Sequence, residues 1–205
     1  CEPYLTSDYR VMIELPKLIF NGIEFIKKIV GVEKCIIGIE NNKPEALKIM
    51  TELAKMADVI IANEEDIQSC LGISLRNFNT TTESYRDLCQ QVKKQYPNVK
   101  IVAVTLRHSY SADKNGWSTV MLGTEKFYES TRYEIENIVE RVGAGDSFAA
   151  GLIYGLTEFN DEQKSLEFAT AASCLKHSIC GDFNLSTKDE VIALMNGNST
   201  GRIQR

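Results

Sequence analysis

A repeated change of period along the chain limits the fold more than anything else. Short aliphatic runs, each the length of one buried strand, alternate with segments whose apolar residues recur every three or four positions. Lys17–Val30 places Leu18, Ile19, Gly22, Ile23, Ile26 and Ile29 or Val30 at helical spacing, and Gly31 stops it. Cys35–Ile39 and Asp58–Ala62 read as buried strands of the parallel type. Between them lie a turn at Asn41–Pro44 and a helix over Glu45–Met56, with Pro44 well placed to open it. Asn63 then stands at a helix start with acidic residues behind it. Glu83–Gln95 is a second clear helix, broken at Tyr96-Pro97-Asn98, and Val99–Leu106 is a third strand. Trp117–Leu122 and Glu125–Tyr133, joined around Gly123, read as an antiparallel pair. Helices follow over Gly145–Leu156, Glu162–His177 and Thr187–Met195, then a polar tail, Gly197–Arg205. The expected fold class is α/β: a doubly wound, mostly parallel sheet with flanking helices, plus a short antiparallel strand pair.

Composition narrows the function classes. The 205 residues are 43% hydrophobic and 25% charged with only 4 prolines, which argues against disorder. A net charge of −5 leaves no basic surplus to neutralise phosphates, so neither nucleic acid nor an anionic membrane surface is an expected partner. No apolar run approaches the roughly 20 residues of a membrane span. The 6 cysteines, at 1, 35, 70, 89, 174 and 180, form no Cys-x-x-Cys, and with 2 histidines they give little support for zinc. Reduced thiols in a cytoplasmic protein are the expectation. The chain opens on Cys1 rather than Met, which suggests a fragment, a trimmed chain or a missing upstream part.

Chemistry concentrates in Val142-Gly143-Ala144-Gly145-Asp146-Ser147-Phe148, three small residues and an acid entering a helix rich in Ala and Gly. Small residues let backbone approach a ligand, and the unpaired N–H groups at a helix start attract an anion. An acid at that same end would repel a phosphate. It makes sense if Asp146 takes a proton from a hydroxyl that attacks the phosphoryl group. The competing reading is tight helix packing by the small residues, with Asp146 as a simple cap.

Val142–Gly151 resembles the C-terminal signature of the PfkB/ribokinase family of sugar kinases. From about Ile49 to Arg205 the chain is similar to the 2-keto-3-deoxygluconate kinase branch of that family. The resemblance is carried by Ala62-Asn63-Glu64-Glu65-Asp66, Val104-Thr105-Leu106-Arg107, Ser109 to Ser118 and Arg141–Phe148. Ala171–His177, Gly181–Leu185 and Ser199–Arg205 continue it. It implies ATP and Mg2+, with a sugar acid as the small-molecule substrate. Asp146 would be the base, and the amides of Gly143, Ala144 and Gly145 the anion hole. Asn63 and Asp66 match an Asn-x-x-Glu element that organises magnesium through water. Thr105, Arg107 and Ser109 would contact the nucleotide, with Thr170, Lys176 and His177 on its adenine side. Thr170 also has a plain structural reading as a core-facing helix position, as do His177 as a structural histidine and Asn63 as an N-cap. Glu140 and Val142 occupy positions where many relatives hold a monovalent cation with an acid and a threonine, and Val142 has no side-chain oxygen to give.

Before about Ile49 the resemblance changes. The stretch from Cys1-Glu2-Pro3 through Arg10 and on through Cys35–Ala46 is similar to the C subunit of the Rnf electron-transport complex, in which the Glu-Pro segment lies near a flavin. The glycine-rich loop and the iron–sulfur cysteines that complete such a site are not in this sequence. Two parts are therefore expected: 1–48, Rnf-like and packed on the sheet edge, and 49–205, the nucleotide-binding and catalytic half of a ribokinase-like fold. Three functions stand open: a sugar-acid kinase, a nucleotide-binding module without turnover because substrate pocket and lid are missing, and a flavin or electron-transfer fragment. Missing core strands would expose apolar surface, so self-association is expected.

Overall fold

The computed structural model describes residues 7–31, 57–63, 67–68, 71–73, 81–111 and 113–197. The strand expected at Cys35–Ile39, the Asn41–Pro44 turn, the Glu45–Met56 helix, Asp66 and the last residues of the tail lie outside this set. The chain divides into two compact units, Cys1–Ala103 and Val104–Arg205. That division falls within a strand, far from the sequence boundary near residue 49.

The first unit begins with α1 (Ser7–Glu14), which periodicity does not single out, and α2 (Pro16–Val30). Pro16 suits the first turn of α2 because it has no N–H to leave unpaired. Gly31, at φ 74°, ends it, its N–H closing on the Lys27 carbonyl. No residue of α2 is buried, and Leu18, Phe25, Ile26, Ile29 and Val30 stand exposed. β1 (Val59–Asn63) follows, then α3 (Thr82–Gln95), started by Thr81, whose side chain accepts the Ser84 N–H. Tyr85, Leu88, Cys89 and Val92 form the buried stripe of α3 at three- and four-residue spacing. β2 (Ile101–Ser109) starts beside β1, where the Lys100 and Ile101 N–H groups both donate to the Asp58 carbonyl, at 2.8 and 3.2 Å.

In the second unit β3 (Lys114–Leu122) follows β2, and the Lys114 carbonyl accepts the Tyr110 and Ser111 N–H groups at 3.1 and 3.2 Å. The expected pair is a larger antiparallel assembly, because β3 takes two partners in succession. β4 (Phe127–Glu129) registers Met121 opposite Tyr128, and β5 (Tyr133–Glu136) registers Asn115 opposite Ile135. The change of partner falls at Thr119, which accepts the Ser130 N–H on its carbonyl and donates its own N–H to Ser130 Oγ. Successive side chains alternate between the faces of a strand. Trp117 and Thr119 both face α5 (Glu162–Lys176): Thr119 Oγ1 meets Thr170 Oγ1 at 2.5 Å, and the Trp117 ring lies edge-on to His177. The core gathers there, with Trp117, Tyr133, Ile135, Phe168, Ala171, Ala172, Cys174 and Leu175 buried together.

α4 (Ala144–Glu158) lies against α5 by way of two glycines. A Cβ at Gly151 would fall 2.9 Å from Ala169 Cα, and one at Gly155 2.7 Å from Ser165 Cα. α6 (Lys188–Asn196) completes the unit behind a reciprocal cap, Thr187 with Glu190. The α/β sheet flanked by helices is thus observed. Among the described residues, no helix is long and apolar enough to cross a membrane.

Candidate active site

The turn before α4 is built by Gly143. Its φ of 80° is a left-handed conformation that strains other residues, and a Cβ there would fall 1.9 Å from the Asp182 carbonyl oxygen. Two constraints therefore demand glycine. The turn spends two of its amides internally: Ala144 N–H on Arg141 O at 3.3 Å, and Ser147 N–H on Gly143 O at 2.9 Å. The Gly145 and Asp146 N–H groups have no partner among the described residues. They are the orphan donors of a helix start, at the positive end of its dipole.

Asp146 is exposed in the first turn of α4, and α4 has no side-chain cap. The capping reading does not describe this carboxylate. The packing reading is correct for Gly151 and Gly155, further along the same helix. One glycine-rich segment thus does two jobs at different positions.

Just upstream, Glu140 Oε1 accepts the Val142 N–H at 3.1 Å and the Arg141 N–H at 2.8 Å. These two bonds, Val142's first, hold its carboxyl below the usual carboxylate range, and the nearby Lys176 charge adds to them. Glu140 thereby stiffens the approach to the turn. Arg141, Lys176 and Arg107 all act electrostatically on His177, so three cations gather in this region although the chain is acidic overall.

The other expected residues fall in different settings. Thr105, Arg107 and Ser109 alternate along β2, Thr105 half-buried and the other two exposed. Thr170, Lys176 and His177 are interior residues, none more than 2% exposed. The Thr170 hydroxyl is held by Thr119 and the Leu166 carbonyl, and the Lys176 ammonium donates to Ile179 O at 3.1 Å. His177 Nδ1 meets Ser173 O at 2.8 Å, and since a carbonyl only accepts, Nδ1 carries the proton. All three side chains are thus interior and hydrogen-bonded to the protein's own groups. Asn63 ends β1, half-buried, in the first unit, and Asp66 is outside the described residues. Among the described residues no group of three or more His, Cys, Asp or Glu could hold a metal ion. Sequence reasoning assigns no part to Asp182 or Asn184, although both stand in the Gly181–Leu185 stretch that carries the resemblance.

An anionic ligand fits what is present: two free amides at a helix start, behind a turn that Gly143 alone can make, with the exposed Arg107 and Arg141 in the same unit. Beside them stands a carboxylate with no hydrogen-bond partner among the described residues.

The family model for pfkB family carbohydrate kinases matches residues 24–181. A 2-dehydro-3-deoxygluconokinase structure from Thermotoga maritima is 41% identical with a TM-score of 0.79, covering 90% of this chain and 56% of that one. A PfkB family carbohydrate kinase structure from Listeria grayi is 26% identical with a TM-score of 0.69, covering 87% and 55%. The chain thus spans about half the length of these proteins. A short N-terminal region matches other proteins. The C subunit of the proton-translocating ferredoxin:NAD(+) oxidoreductase complex of Clostridium ljungdahlii is 52% identical over 50 residues, 24% of this chain and 11% of that protein. The Na(+)-translocating counterpart of Acetobacterium woodii is 40% identical over 52 residues, 25% of this chain and 12% of that protein. Residue 24, where the family match opens, lies inside the part, 1–48, that sequence reading expects to be Rnf-like.

Proposed function

Since the chain belongs to the pfkB family of carbohydrate kinases, we propose that it transfers the γ-phosphoryl group of ATP to a hydroxyl of a sugar acid of the 2-keto-3-deoxygluconate type. The observation that carries this reading is the pairing of a left-handed Gly143 turn, with free amides at Gly145 and Asp146, and an exposed Asp146 carboxylate that caps nothing. The sugar specificity draws on the likeness to the Thermotoga maritima enzyme, a 2-dehydro-3-deoxygluconokinase.

Asp146 accepts the proton as the substrate oxygen attacks phosphorus. The new P–O bond forms to the sugar, the bond to the β-phosphate oxygen breaks, and ADP leaves with the electron pair. Base catalysis of this kind contributes roughly 10²–10⁴ in rate. The Gly143–Gly145 turn stabilises charge developing on the transferred group, to which the helix start adds its dipole. Thr105, Arg107 and Ser109 line the nucleotide side. Asn63 and Asp66 are the residues proposed to hold magnesium through water, and a bound magnesium would neutralise phosphate charge. A cytoplasmic setting belongs to this reading.

A second reading, MgATP binding without turnover, draws on the 56% of the Thermotoga maritima kinase that this chain spans. Positioning of the acceptor supplies much of the barrier reduction in such a transfer. A coupled ADP-release assay with 2-keto-3-deoxygluconate separates the two. Turnover in the unaltered chain that is lost in Asp146→Asn supports the kinase, and MgATP binding with no ADP release supports the module. Absorbance near 450 nm in the purified protein would revive the flavin reading of the N-terminal segment.

A further inference from the structure

The turn that opens α4 is gripped by the segment following α5, and the polar contacts of that grip meet at Asn184. Its amide nitrogen donates to Ser147 Oγ at 2.5 Å and to the Ala172 carbonyl at 3.1 Å. Its Oδ1 accepts the Ser186 N–H at 2.9 Å. With donors and acceptor all engaged, the side chain has one orientation. Ser147 is the residue whose own N–H closes the turn on Gly143 O. Two residues before Asn184, the Asp182 carbonyl abuts Gly143 Cα. The segment therefore touches the turn at both its ends, and Ala172 ties it to α5.

Apolar burial does not hold this segment in place. Phe183 and Leu185, on either side of Asn184, are 77% and 75% exposed. A second tie, Ser173 Oγ to Ala144 O at 2.7 Å, fixes the helix start to α5 but does not touch the 182–186 segment. Among the described residues, Asn184 is left as the side chain that couples that segment to the turn.

We propose that Asn184 is a positioning residue for the anion turn: through Ser147 it keeps the Asp182 carbonyl against Gly143 and so sets the direction of the Gly145 and Asp146 N–H groups. The functional consequence rests on the nucleotide reading above, but the geometric claim does not.

Amide hydrogen exchange on the intact chain tests the geometry, and titration with MgATP tests the consequence. In Asn184→Ala the Ser147 amide exchanges about tenfold faster than in the unaltered chain, as expected where hydrogen bonds of this size are lost. Mid-α5 amides such as that of Ala171 keep their rates. The dissociation constant for MgATP rises about tenfold. Asn184→Asp, which can still accept from Ser147 Oγ and from the Ser186 N–H but faces the Ala172 carbonyl, falls between. This milder variant keeps the claim testable should Asn184→Ala fail to fold. Adding Ser147→Ala to Asn184→Ala brings little further change, because the pair acts as one unit. Unchanged Ser147 exchange in Asn184→Ala overturns the proposal. So does a uniform rise across α4 and α5 with MgATP affinity intact, the mark of a merely structural residue. If the unaltered chain binds no MgATP, the nucleotide reading fails while the exchange arm still decides the positioning claim.

Discussion

The His177 ring is 2% exposed, donates Nδ1–H to Ser173 O at 2.8 Å and lies edge-on to Trp117. Removal from water lowers its pKa below the ordinary 6.5 more than the Ser173 bond raises it, and the charges of Lys176, Arg141 and Arg107 lower it further. The unfolded chain therefore binds the proton more readily than the folded one. This contribution to stability is fully present above the ordinary histidine value and is lost as the pH falls from there through the folded pKa. Melting temperatures measured from pH 7 down to pH 5 should decline more steeply in the unaltered protein than in His177→Gln, and equal slopes would refute the burial account. The cysteines give a second contrast at this scale. Cys174 is buried, and burial pushes its thiol up to about 12, whereas Cys180 is exposed. Since the thiolate is the reactive form, iodoacetamide followed by peptide mass spectrometry should label Cys180 in the native protein and leave Cys89 and Cys174 unlabelled until it unfolds. Labelling of Cys174 at a comparable rate would contradict the packing of α5 on β3.

At the level of elements, α4 and α5 can approach closely because Gly151 and Gly155 present bare backbone to Ala169 and Ser165. Gly155→Val should destabilise the protein by about 1–3 kcal/mol, as overpacking does, read as a lower urea midpoint at unchanged slope. A neutral substitution would mean that the helices can part without loss. The sequence already holds both readings of this glycine-rich stretch, packing and ligand approach, but periodicity cannot say which residue serves which. The answer depends on what lies opposite, Asp182 for Gly143 and Ser165 for Gly155. The long helices are legible because their apolar stripes are regular and their ends marked: Gly31 ends α2, Tyr96-Pro97-Asn98 follows α3, and Thr187 opens α6. The division of one expected strand into β4 and β5 is not legible, because it arises from Thr119 pairing with Ser130, a long-range contact. Thr170, Lys176 and His177 lie on or directly after a helix whose residues are buried almost throughout, so no polar face separates core from site.

For the whole molecule, the family match from residue 24 and the 90% of the chain covered by the Thermotoga maritima structure extend the kinase likeness over much of the N-terminal segment. The likeness to the Rnf complex runs from Cys1 to about Ala46 and the motifs of the kinase likeness follow it, so by sequence alone the two read as a sharp junction between Glu45 and Thr51. α2 keeps Leu18, Phe25, Ile26, Ile29 and Val30 exposed, an apolar stripe of the kind that drives association. Sedimentation velocity across a concentration series should show mass rising with concentration, and charged residues at Phe25 and Ile29 should suppress it. A monodisperse monomer with a sharp cooperative melt would overturn that expectation. The Gly143 turn and the Asp146 carboxylate have separable roles, which one paired measurement addresses: MgATP affinity by calorimetry beside ADP release, for the unaltered chain, Gly143→Ala and Asp146→Asn. Gly143→Ala should weaken MgATP binding by about tenfold or more, a change of about 1.4 kcal/mol, while Asp146→Asn should bind MgATP and release no ADP. Undiminished ADP release by Asp146→Asn, or undiminished binding by Gly143→Ala, would contradict these roles.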